Sequence, residues 1–201
     1  MHHHYLKKWL NSSKEVFLHP KAFFTKMKKR DEFEHSFKFA LTTLLVVGVL
    51  EVIIFDWLMN RAFMTAPFWF VIRLAIRLAI FHLFTGFAHI MLWLFGTQHK
   101  YQDTFHTMAH FYPVPMISSL LLVLLNIISA GRYMQVVNGV SIATIAYIIY
   151  VQTTGLSISH KMHPLKVFAA TILVPVLVAL VFLYIAAVFL PIGMPQIAVQ
   201  Y

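Results

Sequence analysis

The stretch GTQHKYQDTFHTMAHFYPVPMISSLLLVLLNII, residues 96–128, joins two unlike halves. From Phe111 to Ile128 it is apolar and holds no Asp, Glu, Lys or Arg, close to the ~20 residues that cross the ~30 Å hydrocarbon core of a bilayer. Ahead of it, a helix over residues 99–110 carries His99, Asp103, His106 and His110 at i, i+4, i+7 and i+11. At ~100° per residue these four share one narrow stripe. Pro113 disfavours helical geometry at Tyr112, which places His110 in a last turn. One reading of the stripe is the wet face of a helix lying at the membrane surface, with Tyr101, Phe105 and Met108 on its other side. The sharper alternative is a metal site, in which His106 and His110 are spaced as helical zinc ligands and Asp103 adds an oxygen. His99, or His160 and His163 from another loop, would complete it. The wet face is the expectation.

Four further runs are long and apolar enough to cross: Phe37–Phe55, Leu74–Phe95, Met134–Val151 and Leu165–Leu190. With 60% hydrophobic residues, 11% charged and a mean hydropathy of +0.75, 201 residues cannot enclose their apolar surface in one water-soluble core. The chain therefore reads as an all-α polytopic membrane protein. Residues 1–36 form a basic cytoplasmic or interfacial segment, 37–190 a bundle of five transmembrane helices, and 191–201 a short extracytoplasmic tail. No separate soluble domain of ordinary size is left over. A long polar stretch precedes the first run, unlike a signal peptide, so that span is expected to be retained. His2 to His4 carry no functional reading. The absence of cysteine excludes disulfides, thiolate metal sites and cysteine nucleophiles.

Orientation follows from the Lys and Arg bias of the short flanks. With the N-terminus cytoplasmic, that side collects the basic residues from Lys7 to Arg30 together with Lys38, Lys100, Lys161 and Lys166, twelve of the sixteen. The other side has Arg61, Arg73 and Arg132, and Arg77 lies just inside the second span. The formal charge of +9 thus describes a cytoplasmic face suited to anionic lipid head groups, at ~1 kcal/mol per nearby Lys or Arg. No folded basic module for nucleic acid is present. Within the N-terminal segment, Pro20 is placed to start a helix whose Phe23, Phe24 and Met27 share a face. Its expected role is an interfacial anchor, and its alternative a docking surface for a cytoplasmic partner.

Charges at membrane depth are costly unless they snorkel, pair or face water. Glu51 and Asp56 close the first span while Arg73 and Arg77 open the second, so a pair such as Glu51 with Arg77 is expected to clamp the two helices. A gated ion path is the alternative. In the second span His82, Gly86, His89 and Trp93 recur on one face. Gly86 is expected to permit a close helix approach, and a hydrogen-bonded interhelical histidine is expected rather than a proton relay. No zincin or deaminase signature, nucleophile elbow, phosphate loop or dinucleotide fingerprint occurs. No catalytic residue and no cofactor is assigned.

Three blocks, in order, carry a family resemblance. His89, Gly96, Tyr101, Thr104, Phe105, Pro113 and Pro115 form a run of histidine, glycine, aromatic, Thr-Phe and prolines opening a span. YVQTTGLSISHKMHPLKVFAATILVP contributes Gln152, Gly155, Leu156, His160, Lys166, Ala169 and Pro175, and HPKAFF supplies a proline before paired phenylalanines. From about Val16 to Pro175 the chain resembles the Yip family of membrane proteins, named for interaction with Ypt/Rab GTPases. The resemblance implies five helices, a cytoplasmic N-terminal region and no known chemistry. Eukaryotic members are associated with vesicle traffic and with prenylated GTPases, through a longer N-terminus than this chain has. The short segment here is similar to prokaryotic members, and GTPase binding is not carried over. His106 and His110 stand outside the family pattern.

The expected function is a non-enzymatic scaffold or adaptor that organises membranes or partner proteins. Its partners would be the bilayer, anionic head groups, and further copies or other membrane proteins. The alternative is a small oligomeric transporter or channel in which Arg77, His82 and His89 line water and Pro175 breaks the fifth span. A third reading is a metal-dependent membrane enzyme, which needs a bound metal with an open ligand position.

Overall fold

The computed structural model describes residues 2–27, 33–58, 66–129 and 133–189. Lys28, Lys29, Arg30, Arg61, Arg132 and the tail 191–201 lie outside the described residues, as does the side chain of Asp56. Apart from short turns and the loop at 95–100, the described residues are helical. The order is α1 (His2–Leu18), α2 (Pro20–Lys26), α3 (Phe33–Leu58), α4 (Ala66–Leu94), α5 (Tyr101–Phe111), α6 (Pro113–Ser129), α7 (Met134–His160), α8 (Pro164–Phe168), a π-helical turn (Ala169–Leu173) and α9 (Val174–Phe189). Five stretches have the length and apolarity of membrane spans: Phe33–Ile53, Phe68–Leu94, Tyr101–Ser129, Met134–His160 and Pro164–Tyr184. The protein is a polytopic helical membrane protein.

The third span is longer than expected because Tyr112 does not break it. Its φ of −55° and ψ of −34° are helical, and its N–H bonds the Met108 carbonyl at 2.9 Å. Pro113 has no N–H to offer the Ala109 carbonyl, so one rung of the ladder is missing where α5 meets α6, while the backbone on both sides stays helical. Tyr112 is buried, with its ring 4.7 Å from that of Phe81. Tertiary packing thus overrides a local steric preference. At 29 residues the span is ~43 Å long, ~13 Å more than the hydrocarbon core.

The surplus length lies at one end. There α2, the start of α3, the last turns of α4 and α7, and the whole of α5 enclose a core that includes Phe24, Leu92, Phe105, Met108, Ala109 and Leu156. Toward the other end Phe68, Val71, Ile76, Met134, Ile142 and Leu180 are exposed, as apolar side chains facing lipid are. The molecule is therefore a five-helix bundle with a packed cap.

The N-terminal segment is part of this packing. The Trp9 indole N–H donates to Thr43 Oγ1 at 2.9 Å, Val16 is fully buried, and the Tyr147 hydroxyl donates to the Phe17 carbonyl. Phe24 lies over Gly155, where a Cβ would stand 2.9 Å from two of its ring atoms and 3.1 Å from Thr107 Cγ2. Phe23 and Phe24 are thus committed inside the fold. Gly48 makes a similar approach to Phe70, at 2.9 Å. Gly86 does not: nothing lies within 4 Å of where its Cβ would be, so the expected close approach at Gly86 is corrected. A small residue in the sequence permits contact without causing it.

Pro175 does not break the fifth span either. The Val174 N–H reaches back to the Ala169 carbonyl, the wider spacing of a π turn. The extra residue accommodates a ring that would otherwise clash with the carbonyl one turn earlier, and the helix continues.

Candidate functional site

Two helix ends frame the site. α4 stops at Gly96, whose φ is +96°. Thr97 N–H bonds the Leu92 carbonyl at 3.1 Å and Gly96 N–H the Trp93 carbonyl at 3.0 Å. This is a Schellman cap, which needs a left-handed residue at that point and prefers glycine there. α7 ends the same way at Lys161, with φ 50° and ψ 36°; Met162 N–H bonds the Ser157 carbonyl at 3.1 Å. The two caps bring Thr97 and His160 side by side.

Between them runs a chain of hydrogen bonds joining α4, the 96–100 loop, α5 and α7. His99 N–H donates to Thr97 Oγ1 at 3.3 Å, and Thr97 Oγ1 lies 2.9 Å from His160 Nδ1. His160 Nε2 lies 3.0 Å from Thr104 Oγ1, which is 2.8 Å from His89 Nδ1. A hydroxyl has one proton to give and a neutral imidazole one N–H and one bare nitrogen. The backbone N–H fills one Thr97 lone pair, and the directions follow from keeping every hydroxyl proton within the chain of bonds. Thr97 donates to His160 Nδ1, His160 Nε2–H donates to Thr104, and Thr104 donates to His89 Nδ1. Thr97, Thr104 and His160 are buried. Tyr101 packs its ring edge-on to His89 at 5.6 Å, and His99 packs against His160 at 5.4 Å.

The cluster thus unites His89, Gly96, Tyr101 and Thr104 with His160. Pro113 and Pro115 stand apart at the start of α6, and Gly155 lies under Phe24. Thr97 was missed by sequence reasoning; its only signal is its place directly after a glycine fit for a helix cap.

The histidine stripe of α5 is not a wet face. His110 is buried, stacked on Phe39 at 4.5 Å and 5.8 Å from Phe23. Its Nδ1–H donates to the His106 carbonyl at 2.9 Å, and His106 shares a hydrogen bond with Ser36. The opposite face, with Phe105 and Met108, is buried as well. His106 and His110 thus meet α3 instead of water, while His99 and Asp103, both partly exposed, pair with each other. Nor do the metal candidates converge. Asp103 Oδ2 lies 3.3 Å from His99 Nδ1, while His106 Nδ1 meets Ser36. Among the described residues no three His, Asp or Glu side chains are grouped to hold an ion.

The charged residues expected to clamp the first two spans do meet. Arg77 Nη2 is 2.5 Å from Glu51 Oε2, with side chains 28% and 15% exposed. Arg73 lines the same cavity, whose volume is about 10 Å³, room for about one water. His82 lies elsewhere: its Nδ1–H donates to the Leu78 carbonyl within its own helix at 2.8 Å, among Phe37, Phe81 and Phe105.

Among known families, the Yip1 domain matches residues 14–186 of the chain. No curated protein and no solved structure matches it.

Proposed function

The chain belongs to the Yip family of integral membrane proteins, and from that membership we propose that it acts as a non-enzymatic membrane scaffold whose packed cap lies on the cytoplasmic side. One observation carries this reading. The buried family-pattern side chains Thr104 and His160 bond each other and tie in Thr97 and Nδ1 of the half-buried His89. Groups used this way fix the shape of a cap; they are not presented to a substrate. Gly96 and Gly155 support the same reading, since one caps a helix and the other seats the N-terminal segment. What the cap offers to partners is its outer surface, where Lys14, Lys21, Lys161 and Lys166 are exposed. The excess of Lys and Arg at this end supports a cytoplasmic placement, and such a surface favours anionic head groups.

Photo-crosslinkers placed at Lys14 and Lys161 in native membranes test the proposal. The expected result is a reproducible adduct with a membrane protein, a second copy included, that weakens when the exposed lysines are neutralised. Adducts that stay equally abundant after the cap is unfolded by substitution of His160 would sink it.

A further inference from the structure

Between α2, α7 and α8 runs a groove of about 500 Å³ that opens on the outside of the bundle. Ala146, Tyr150 and Thr153 of α7 line it, with Leu165 and Phe168 across from them and Lys21 of α2 beside them. Most of this surface is apolar. Along α7 it extends from Ala146 to Ile158, ~18 Å of helix.

Its charge is unbalanced. No carboxylate lines the groove. Among the described residues the ion pairs join Lys38 with Glu34, Arg77 with Glu51 and His99 with Asp103, leaving Lys21 without one. Lys161 and Lys166, both exposed, belong to the same end of the molecule. The Thr153 hydroxyl is closed off from solvent and makes no hydrogen bond within the protein. A simple hydrocarbon would match the apolar lining and ignore the lysine. A soluble anion would match the lysine and leave the apolar surface bare. An occupant that satisfies both has a long apolar chain ending in a negative charge.

We propose that this groove binds one anionic phospholipid, its acyl chain along α7 against Ala146 and Phe168 and its phosphate at Lys21. The site rests on the membrane-spanning fold and stands whether or not the scaffold role does. Because α2 also seats Phe24 on Gly155, a lipid held at Lys21 ties the N-terminal segment to the bilayer at the level of the head groups.

Native mass spectrometry of the full chain in neutral detergent, titrated with phosphatidylglycerol or phosphatidylcholine, tests this directly. One phosphatidylglycerol should bind more tightly than phosphatidylcholine. Lys21→Gln should weaken phosphatidylglycerol about fivefold, the factor equivalent to ~1 kcal/mol per lysine, and leave phosphatidylcholine unchanged. Ala146→Trp, at an exposed position, fills the apolar half and should weaken both. Lys38→Gln, on an exposed lysine outside the groove whose charge is already matched by Glu34, should change neither. Both groove variants should melt like the parent when no lipid is added. Equal affinity for the two lipids, no effect of Lys21→Gln, or an equal effect of Lys38→Gln would each overturn the proposal.

Discussion

Replacing Thr104 by valine removes one oxygen from the centre of the cap while almost keeping the side chain's shape. That oxygen accepts from His160 Nε2–H and donates to His89 Nδ1, at 3.0 and 2.8 Å. Its loss leaves a donor on one ring and an acceptor on the other without partners. Each such group costs about 1–3 kcal/mol when water cannot replace the bond. His160 is buried and takes the upper part of that range, whereas His89 is only half-buried and takes the lower. The sum is a loss of about 2–4 kcal/mol, readable by SDS denaturation in mixed micelles. Thr104→Ser keeps the hydroxyl and deletes one fully buried methyl, which costs only about 0.5–1.5 kcal/mol. If packing alone mattered, serine would be the worse of the two. A valine variant as stable as the parent, or less harmed than the serine variant, would refute the assignment of Thr104 as the hub.

Arg77→Leu should cost about 2–3 kcal/mol. Coulomb's law at an effective dielectric of about 20 gives ~6–7 kcal/mol at the observed separation, breaking a fully buried pair costs ~3–5 kcal/mol, and the partial exposure of both side chains lowers this further. Adding Glu51→Gln should restore at least half of the loss, as a denaturation cycle would show. Gly155→Ala should destabilise by about 1–3 kcal/mol through overpacking against Phe24, and the cost should shrink in a Phe24→Ala background to what Thr107 alone opposes. Gly96→Ala meets no atom within 4 Å, so only the left-handed backbone resists it, at about 1–2 kcal/mol; its melting temperature should fall while Gly86→Ala leaves it unchanged or raised.

Hydropathy made the five spans readable because a charge-free run such as Phe111–Ile128 has one cheap environment. The Glu51–Arg77 clamp was legible for a similar reason, since opposite charges at membrane depth in neighbouring helices have few other ways to be satisfied. Periodicity showed that His106 and His110 share a face and was silent on what that face meets. The answer lay in Ser36, 70 residues away from His106 in sequence, and in Phe39. Tyr112 misled because the proline rule describes an isolated dipeptide, and here the burial of the tyrosine against Phe81 decides its backbone. The hydrogen-bonded cluster was half legible: its residues stood in the family pattern, while their connection through Thr97 depended on two helix caps meeting in space.

Whether His89, Thr104 and His160 fasten the cap or pass protons is decided by one measurement, the lifetime of a pH gradient across proteoliposomes holding the parent protein or the Thr104→Val variant. Fastening predicts that both preparations keep the gradient as long as protein-free vesicles do, while the variant unfolds at lower denaturant. A gradient that collapses with the parent and survives with the variant would contradict it and make the cluster a conducting path.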